Sequence, residues 1–235
     1  MRAIIGVLPA LLVVTVSTGA GRALQAQAFE GTLTYRVHGD NGDKTITEWV
    51  KGMNIRYDYA EGPGGGRDGS MIIDGTAKTR TVIMPARKMY MTVPYDPAAR
   101  KLPPKDKPQV TWTRPGKNET VAGVSCEVIH GSRVEDGKTK EANLCVAKGI
   151  GFGGSTGAGP FGEALAEYAN LDLKPGEGIV KVTSLDTGKP EVELELTKVD
   201  RRSLAAVDFQ PPAGYTKFER PVPASGPPPV QQKQQ

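Results

Sequence analysis

The stretch GIGFGGSTGAGP, from Gly149 to Pro160, contains two patterns that carry out chemistry in other proteins. Its first glycines follow G-x-G-x-x-G, the spacing with which a strand–turn–helix unit binds the phosphates of a dinucleotide. The residues around Ser155 follow G-x-S-x-G, the turn that presents a nucleophilic serine in many hydrolases. Catalytic or cofactor chemistry therefore has to be tested first at this loop.

Neither pattern has the surroundings that its chemistry needs. A dinucleotide loop leads directly into a helix of a parallel β-α-β unit, whereas here the next helical pattern starts several residues after the last glycine. The hydrolase order is nucleophile, acid and then histidine, but the two histidines, His38 and His130, both precede Ser155. We predict that the chain is not an enzyme and uses no cofactor. The glycine-rich stretch is then either a slack connector or a hinge.

Metal binding and acid–base catalysis are not supported either. The histidines are far apart in the sequence, and neither has a Cys, Asp or Glu at ligand spacing. Glu191, Glu193 and Glu195 alternate with apolar residues, so we expect them on the solvent-facing side of a strand. The sequence predicts no metal site.

The first 28 residues read as an export signal. Arg2 precedes an apolar run from Ile4 to Val16, and Ala26-Gln27-Ala28 is the small-x-small pattern of a cleavage site. Cleavage after Ala28 would release a periplasmic protein with no transmembrane segment. No cysteine lies near the cut, so no lipid anchor is expected. The alternative is an uncleaved membrane anchor.

The length and charge of the chain indicate one globular domain and no nucleic-acid partner. The formal net charge of +4 falls to +2 with the signal, because Arg2 and Arg22 leave and no acidic residue leaves with them. The remaining charges are well mixed in sign, which argues against a nucleic-acid surface. We predict a β domain over residues 29–218 and a Pro/Gln-rich disordered tail over residues 219–235.

The two cysteines, Cys126 and Cys145, are predicted to form a disulfide. An even count in an exported chain favours a bridge, although two buried free thiols are the alternative. Val124–Val134 and Thr139–Val146 have strand patterns, with a turn at residues 135–138 between them. Folding this hairpin brings the cysteines onto facing strands near its open end.

Short segments with a period of two recur along the mature chain and predict strands with one buried face. Turn sequences separate them, and short links favour antiparallel neighbours. About ten such strands make a sheet that must curl or close. The alternating apolar sets are Leu33, Tyr35 and Val37; Met53, Ile55, Tyr57 and Tyr59; Met89, Met91 and Val93; Val124, Cys126 and Val128; and Val192, Leu194 and Leu196.

One segment, Phe161–Asn170, has the apolar spacing of a helix. The predicted fold is therefore mainly β, with a single large curved antiparallel sheet and one short helix packed on or over its concave face. Such a face needs to be covered by the helix, by a ligand or by both. The predicted ligand-binding residues are Trp49, Ile55, Tyr57, Met89, Met91, Phe161, Leu165 and Tyr168.

Several short motifs together resemble those of a known group of proteins. They are FEGTLTY at 29–35, KGMNIR at 51–56, MIIDG at 71–75, GVSC at 123–126 and PPAGY at 211–215. The chain resembles an uncharacterised domain-of-unknown-function family of exported bacterial proteins, which is itself similar to the lipoprotein-carrier superfamily typified by LolA and LolB. This resemblance implies a half-open antiparallel barrel that holds lipid acyl chains under helices.

Two functional hypotheses follow from these observations. The first is an exported periplasmic, non-enzymatic binding protein for an apolar or lipid-like ligand, or for a lipidated partner such as a lipoprotein. The second is a structural or interaction protein of the cell envelope, with a filled core and no ligand. The sequence does not predict an oligomeric state.

Overall fold

The computed structural model describes residues 29–38, 42–59, 69–95, 110–150, 171, 173–174, 176–186 and 188–219. These residues form thirteen strands and two 3-10 helices, Pro85–Arg87 and Ala206–Phe209. No helix in this part of the chain has the length and apolar composition that a membrane span requires. The strands are β1 (Glu30–Val37), β2 (Lys44–Lys51), β3 (Asn54–Tyr59), β4 (Gly69–Asp74), β5 (Thr79–Met84), β6 (Met89–Pro94), β7 (Thr111–Thr113), β8 (Asn118–Val121), β9 (Val124–Glu135), β10 (Lys138–Lys148), β11 (Glu177–Ser184), β12 (Glu191–Arg201) and β13 (Thr216–Lys217).

All thirteen strands belong to one open sheet. Its order is β13-β6-β5-β4-β3-β2-β1-β12-β11-β10-β9-β7, and β8 also pairs with β9. The pairs are antiparallel except β13 with β6, which is parallel. The prediction of one large antiparallel sheet is thus confirmed, and the strand count exceeds the number inferred from the alternating segments.

Strand β2 shows how the alternation divides the sheet into two faces. Ile46, Glu48 and Val50 are buried on one side, which we call the inner face. Trp49 lies between them in sequence and therefore projects from the opposite side, the outer face. The inner face of β1–β3 joins the main apolar core, which also includes Leu33, Tyr35, Ile55 and Tyr57.

The hairpin of β9 and β10 confirms the disulfide prediction. Its two strands are joined by a turn at Asp136 and Gly137, and Cys126 is bonded to Cys145. Cys126 lies opposite Ala147, two register positions from the pair of Cys145 and Val128, so the bridge runs diagonally between the strands. The bridge therefore joins adjacent strands near the open end of the hairpin, where both cysteines are buried.

The segment that follows β12 crosses the outer face as a strap, residues 202–215. It starts beside the middle of the sheet and ends at β13, which pairs with β6 six strands away. Near its start Glu30 accepts the Leu204 N–H at 2.7 Å, while Lys51 donates to the Leu204 carbonyl. Further along, Arg56 donates to the Asp208 carbonyl at 3.0 Å. The strap thus covers the outer face of the strands whose inner face forms the core.

Several predictions concern residues outside the part that the structure describes. The predicted export signal (1–28), the glycine-rich loop with the helix at 161–170, and most of the predicted tail belong to this group. They stay predictions.

Candidate functional site

The inner face of β1–β6 is organised in rows of directly opposed residues. One row runs across six strands and is formed by Met91, Val82, Met71, Tyr57, Glu48 and Leu33. Its exposure falls from one end to the other. Met91 and Val82 are half-buried, Met71 is buried, and Tyr57 is fully buried. The row therefore leads from an accessible apolar edge into the closed core.

The accessible end of these rows is an apolar surface on β5 and β6. We call it the methionine face; it consists of Val82, Met84, Met89, Met91 and Val93, all half-buried. Met84 lies opposite Met89, and Val82 lies opposite Met91, so the side chains form a continuous patch. On these two strands the covered side is the outer one, where Thr81 and Ile83 are buried on the side that the strap crosses.

The predicted ligand-binding residues fall into three groups. Met89 and Met91 belong to the methionine face, whereas Ile55 and Tyr57 lie deeper on the same side and are 1% and 0% exposed. A ligand cannot reach these two side chains without displacing packed core residues. Trp49 lies on the outer face, on the opposite side of the sheet from Ile55 and Tyr57. Phe161, Leu165 and Tyr168 lie outside the described residues.

Trp49 is held by two arginines instead of facing the core. The guanidinium carbons of Arg202 and Arg56 lie 5.0 Å and 5.8 Å from its ring centre, within the range of cation–π attraction. Arg202 belongs to the strap and Arg56 to β3. The indole therefore helps to fix the strap on the outer face.

Glu48 is the one acidic residue in the long row, and its environment is unusual. Glu48 is 5% exposed, and the Tyr57 hydroxyl donates a hydrogen bond to Glu48 Oε1 at 3.1 Å. Burial raises the pKa of Glu48 to about 7, while the Tyr57 hydrogen bond acts in the opposite direction. Burial and the nearby Glu48 raise the pKa values of Tyr57 and Tyr35 well above the usual range. Around neutral pH the core therefore contains a carboxyl group close to its titration point.

Sequence reasoning missed Glu48 because an acid within an alternating strand normally indicates the solvent side. The sequence signal that could have identified it is the alternation of side chains along β2. Ile46 and Val50 define the buried side, and Glu48 shares that parity, whereas Trp49 does not. The same argument applied to β5 identifies Val82 and Met84 as partners of the predicted methionines on β6.

The histidines take part in local surface contacts. His38 Nδ1 lies 2.7 Å from Asp43, and its Nε2 lies 3.4 Å from Glu191. His130 Nδ1 lies 3.0 Å from Asn143. Among the described residues, no group of three or more His, Cys, Asp or Glu side chains has the arrangement of a metal site.

A cavity of about 240 Å³ lies in the other half of the sheet. Its lining includes Val128, Asn143, Cys145 and Thr183, and the ion pair of Lys181 with Glu119 at 3.3 Å also borders it. The cavity shares none of its lining residues with the methionine face. It is therefore a separate feature of β8, β10 and β11.

The fold and the site define a class: a single-sheet β domain with one disulfide and an apolar face beside a closed core. The chain belongs to the family described as Domain of unknown function (DUF4412), whose model matches residues 29–215. A comparison with curated proteins finds no match.

Among solved structures, the chain is similar to one titled "Structure of PNGF-II in C2 space group", with a TM-score of 0.44 and 10% sequence identity. The alignment covers 82% of this chain and 31% of that chain. The present chain thus spans about a third of the length of that protein.

Proposed function

We propose that the protein is an exported, non-enzymatic periplasmic protein that binds an apolar or lipid-like ligand, or the lipid of a lipidated partner, on the methionine face. The main support for this proposal is the row of opposed inner-face residues that leads from half-buried Met91 and Val82 to buried Met71. Methionine side chains adapt their shape to flexible chains. An accessible apolar surface next to the core is a place where an apolar ligand can be transferred out of water.

The closed core limits where such a ligand can lie. Ile55 and Tyr57 are packed among core residues, so the ligand occupies the β5–β6 end of the inner face and not its middle. The resemblance to the LolA and LolB superfamily supports the same proposal, including a half-open barrel shape. We propose that the chain is exported and that residues 1–28 are removed by cleavage. In this account the disulfide is a structural feature of an oxidising compartment.

The test compares Met91→Asp with a matched control, Met53→Asp. Met53 is 52% exposed in the turn between β2 and β3, away from the methionine face. Burying a methionine side chain contributes about 1.5–3 kcal/mol, so Met91→Asp should weaken the binding of an apolar fluorescent probe at least about tenfold. Met53→Asp should bind like the unmodified protein.

Both variants should keep the thermal unfolding temperature of the unmodified protein to within a few degrees, since neither position is fully buried. Equal probe affinities for the two variants would contradict the proposal.

A second function is favoured by one specific observation. The middle of the inner face is filled, as in an envelope interaction protein that needs no ligand. In that case removing residues 221–235 would abolish the capture of a protein partner. Under the binding proposal, the same deletion leaves probe affinity unchanged.

A further inference from the structure

One charged residue shares the inner face of β5 with the methionine face. Arg80 precedes Val82 and Met84 at intervals of two, so its side chain leaves the strand on the same side. Its directly opposed neighbours are Val93 on β6 and Ile73 on β4, both apolar. A guanidinium group therefore borders the apolar patch at the end where β6 finishes.

One donor atom of Arg80 lacks an acceptor among the described residues. Its Nε atom is buried and has no hydrogen-bond partner there. By contrast, Arg36, Arg56 and Arg114 each bind a carboxylate at 2.6–2.8 Å. A buried donor atom without an acceptor is costly, so an acceptor from another molecule would be bound favourably here.

The charge of Arg80 acts on a buried neighbour of the inner face. Tyr59, on β3, is 8% exposed, and its pKa is raised by burial and by Asp58, while Arg80 acts in the opposite direction. This effect agrees with the inner-face position that the alternation of β5 gives to Arg80.

We propose that Arg80 binds the anionic headgroup, a carboxylate or a phosphate, of a single-chain amphiphile whose hydrocarbon chain lies on the methionine face. This inference rests on the proposed function and specifies its ligand class. The planar guanidinium offers paired donors that match a carboxylate or phosphate. One cation beside an apolar patch matches one headgroup and one chain, whereas a nucleic acid would need a row of cations.

The experiment measures the affinity of the full chain for dodecanoate, dodecyl phosphate and dodecanol by displacement of an apolar fluorescent probe. The three ligands share one hydrocarbon chain and differ in headgroup charge. We expect the two anions to bind at least about tenfold more tightly than the alcohol, because a charge-assisted hydrogen bond to Arg80 is added. In Arg80→Gln this preference should disappear, while dodecanol binds as before.

Arg87→Gln is the matched control, because Arg87 lies in the exposed 3-10 helix between β5 and β6. It should retain the preference for the anions. The unchanged dodecanol affinity of Arg80→Gln also shows that this variant is folded.

The remaining outcomes separate the inference from the function on which it rests. Equal binding of all three ligands, weakened equally by Met91→Asp, would overturn the role of Arg80 and leave the apolar binding site in place. Binding of none of them would overturn both. Displacement by inorganic phosphate at the same concentration as dodecyl phosphate would show an anion site without an apolar part, which also overturns the inference.

Discussion

Replacing Glu48 by glutamine should remove a pH dependence of stability that originates in the core. In the folded chain the carboxyl is buried, it accepts a hydrogen bond from the Tyr57 hydroxyl, and its pKa is about 7 instead of 4.5. In the unfolded chain it is exposed to water and ionises at the lower value. Since the folded state holds the proton more tightly, stability from Glu48 is complete below about pH 4.5 and is lost as pH rises through 7.

The size of this stability loss follows from the difference between the pKa values of Glu48 in the folded and unfolded chain. The difference between 7 and 4.5 is 2.5 pH units, and each unit corresponds to about 1.4 kcal/mol, which gives a total loss of about 3 kcal/mol. Most of this loss, roughly 2–3 kcal/mol, falls between pH 5 and pH 8. Glutamine cannot ionise and has nearly the same shape, and its side-chain oxygen can still accept a hydrogen bond from the Tyr57 hydroxyl.

The assay is urea unfolding of the oxidised protein at pH 5, 6.5 and 8. The difference in the free energy of unfolding between Glu48→Gln and the unmodified protein should be larger at pH 8 than at pH 5 by roughly 2–3 kcal/mol in favour of the variant. Glu219→Gln serves as the control, because the Glu219 side chain is 79% exposed, and it should follow the unmodified protein. An identical pH dependence in Glu48→Gln and the unmodified protein would refute the reasoning.

Two further predictions concern the covalent and backbone constraints of the fold. Changing Cys126 and Cys145 together to alanine should lower the free energy of unfolding in urea by about 3 kcal/mol, because the bridge closes a loop with a sequence separation of 19; an unchanged midpoint would contradict this. Gly31→Ala should lower the unfolding temperature far more than Gly52→Ala. Both glycines have a positive φ, +147° at Gly31 and +58° at Gly52, so both substitutions strain the backbone. Only at Gly31 would a Cβ also lie 2.1 Å from the Asp200 carbonyl oxygen, whereas a Cβ at Gly52 meets no atom within 4 Å. Equal effects of the two substitutions would contradict this close contact between β1 and β12.

The local features of the fold could be predicted from the sequence because they depend on neighbours in the chain. The period-two segments became strands, and the hairpin with Cys126 and Cys145 formed with its disulfide. The order of the sheet could not be predicted in this way. Strand β1 pairs with β12, more than 150 residues later, and nothing in either segment encodes that choice locally.

The sequence alone did not show which of the predicted ligand-binding residues share a face of the sheet. Met89 and Met91 lie on the same face as Ile55 and Tyr57, whereas Trp49, which was added for its aromatic character, has the opposite parity in β2. Arg80 could not be singled out from the sequence, since only the folded structure shows that its Nε atom lacks a hydrogen-bond partner among the described residues. Pairing is a property of three-dimensional neighbours, and residue type alone does not reveal it.

The position of the strap could not be predicted from the sequence either. Residues 202–215 have no repeating pattern, and their position depends on distant single contacts, such as those of Leu204 with Glu30 and of Asp208 with Arg56. These contacts cover the outer face and leave the methionine face as the half-buried apolar surface of β5 and β6. A pattern-based reading has no means of choosing between the two faces.

Native mass spectrometry of the gently purified protein, incubated with dodecanoate, tests the central claim most directly. The account predicts an adduct of amphiphile mass that is lost on mild activation and is much reduced in Met91→Asp. A bare protein mass before and after incubation, with Met91→Asp indistinguishable from the unmodified protein, would contradict the claim that the methionine face binds an apolar ligand.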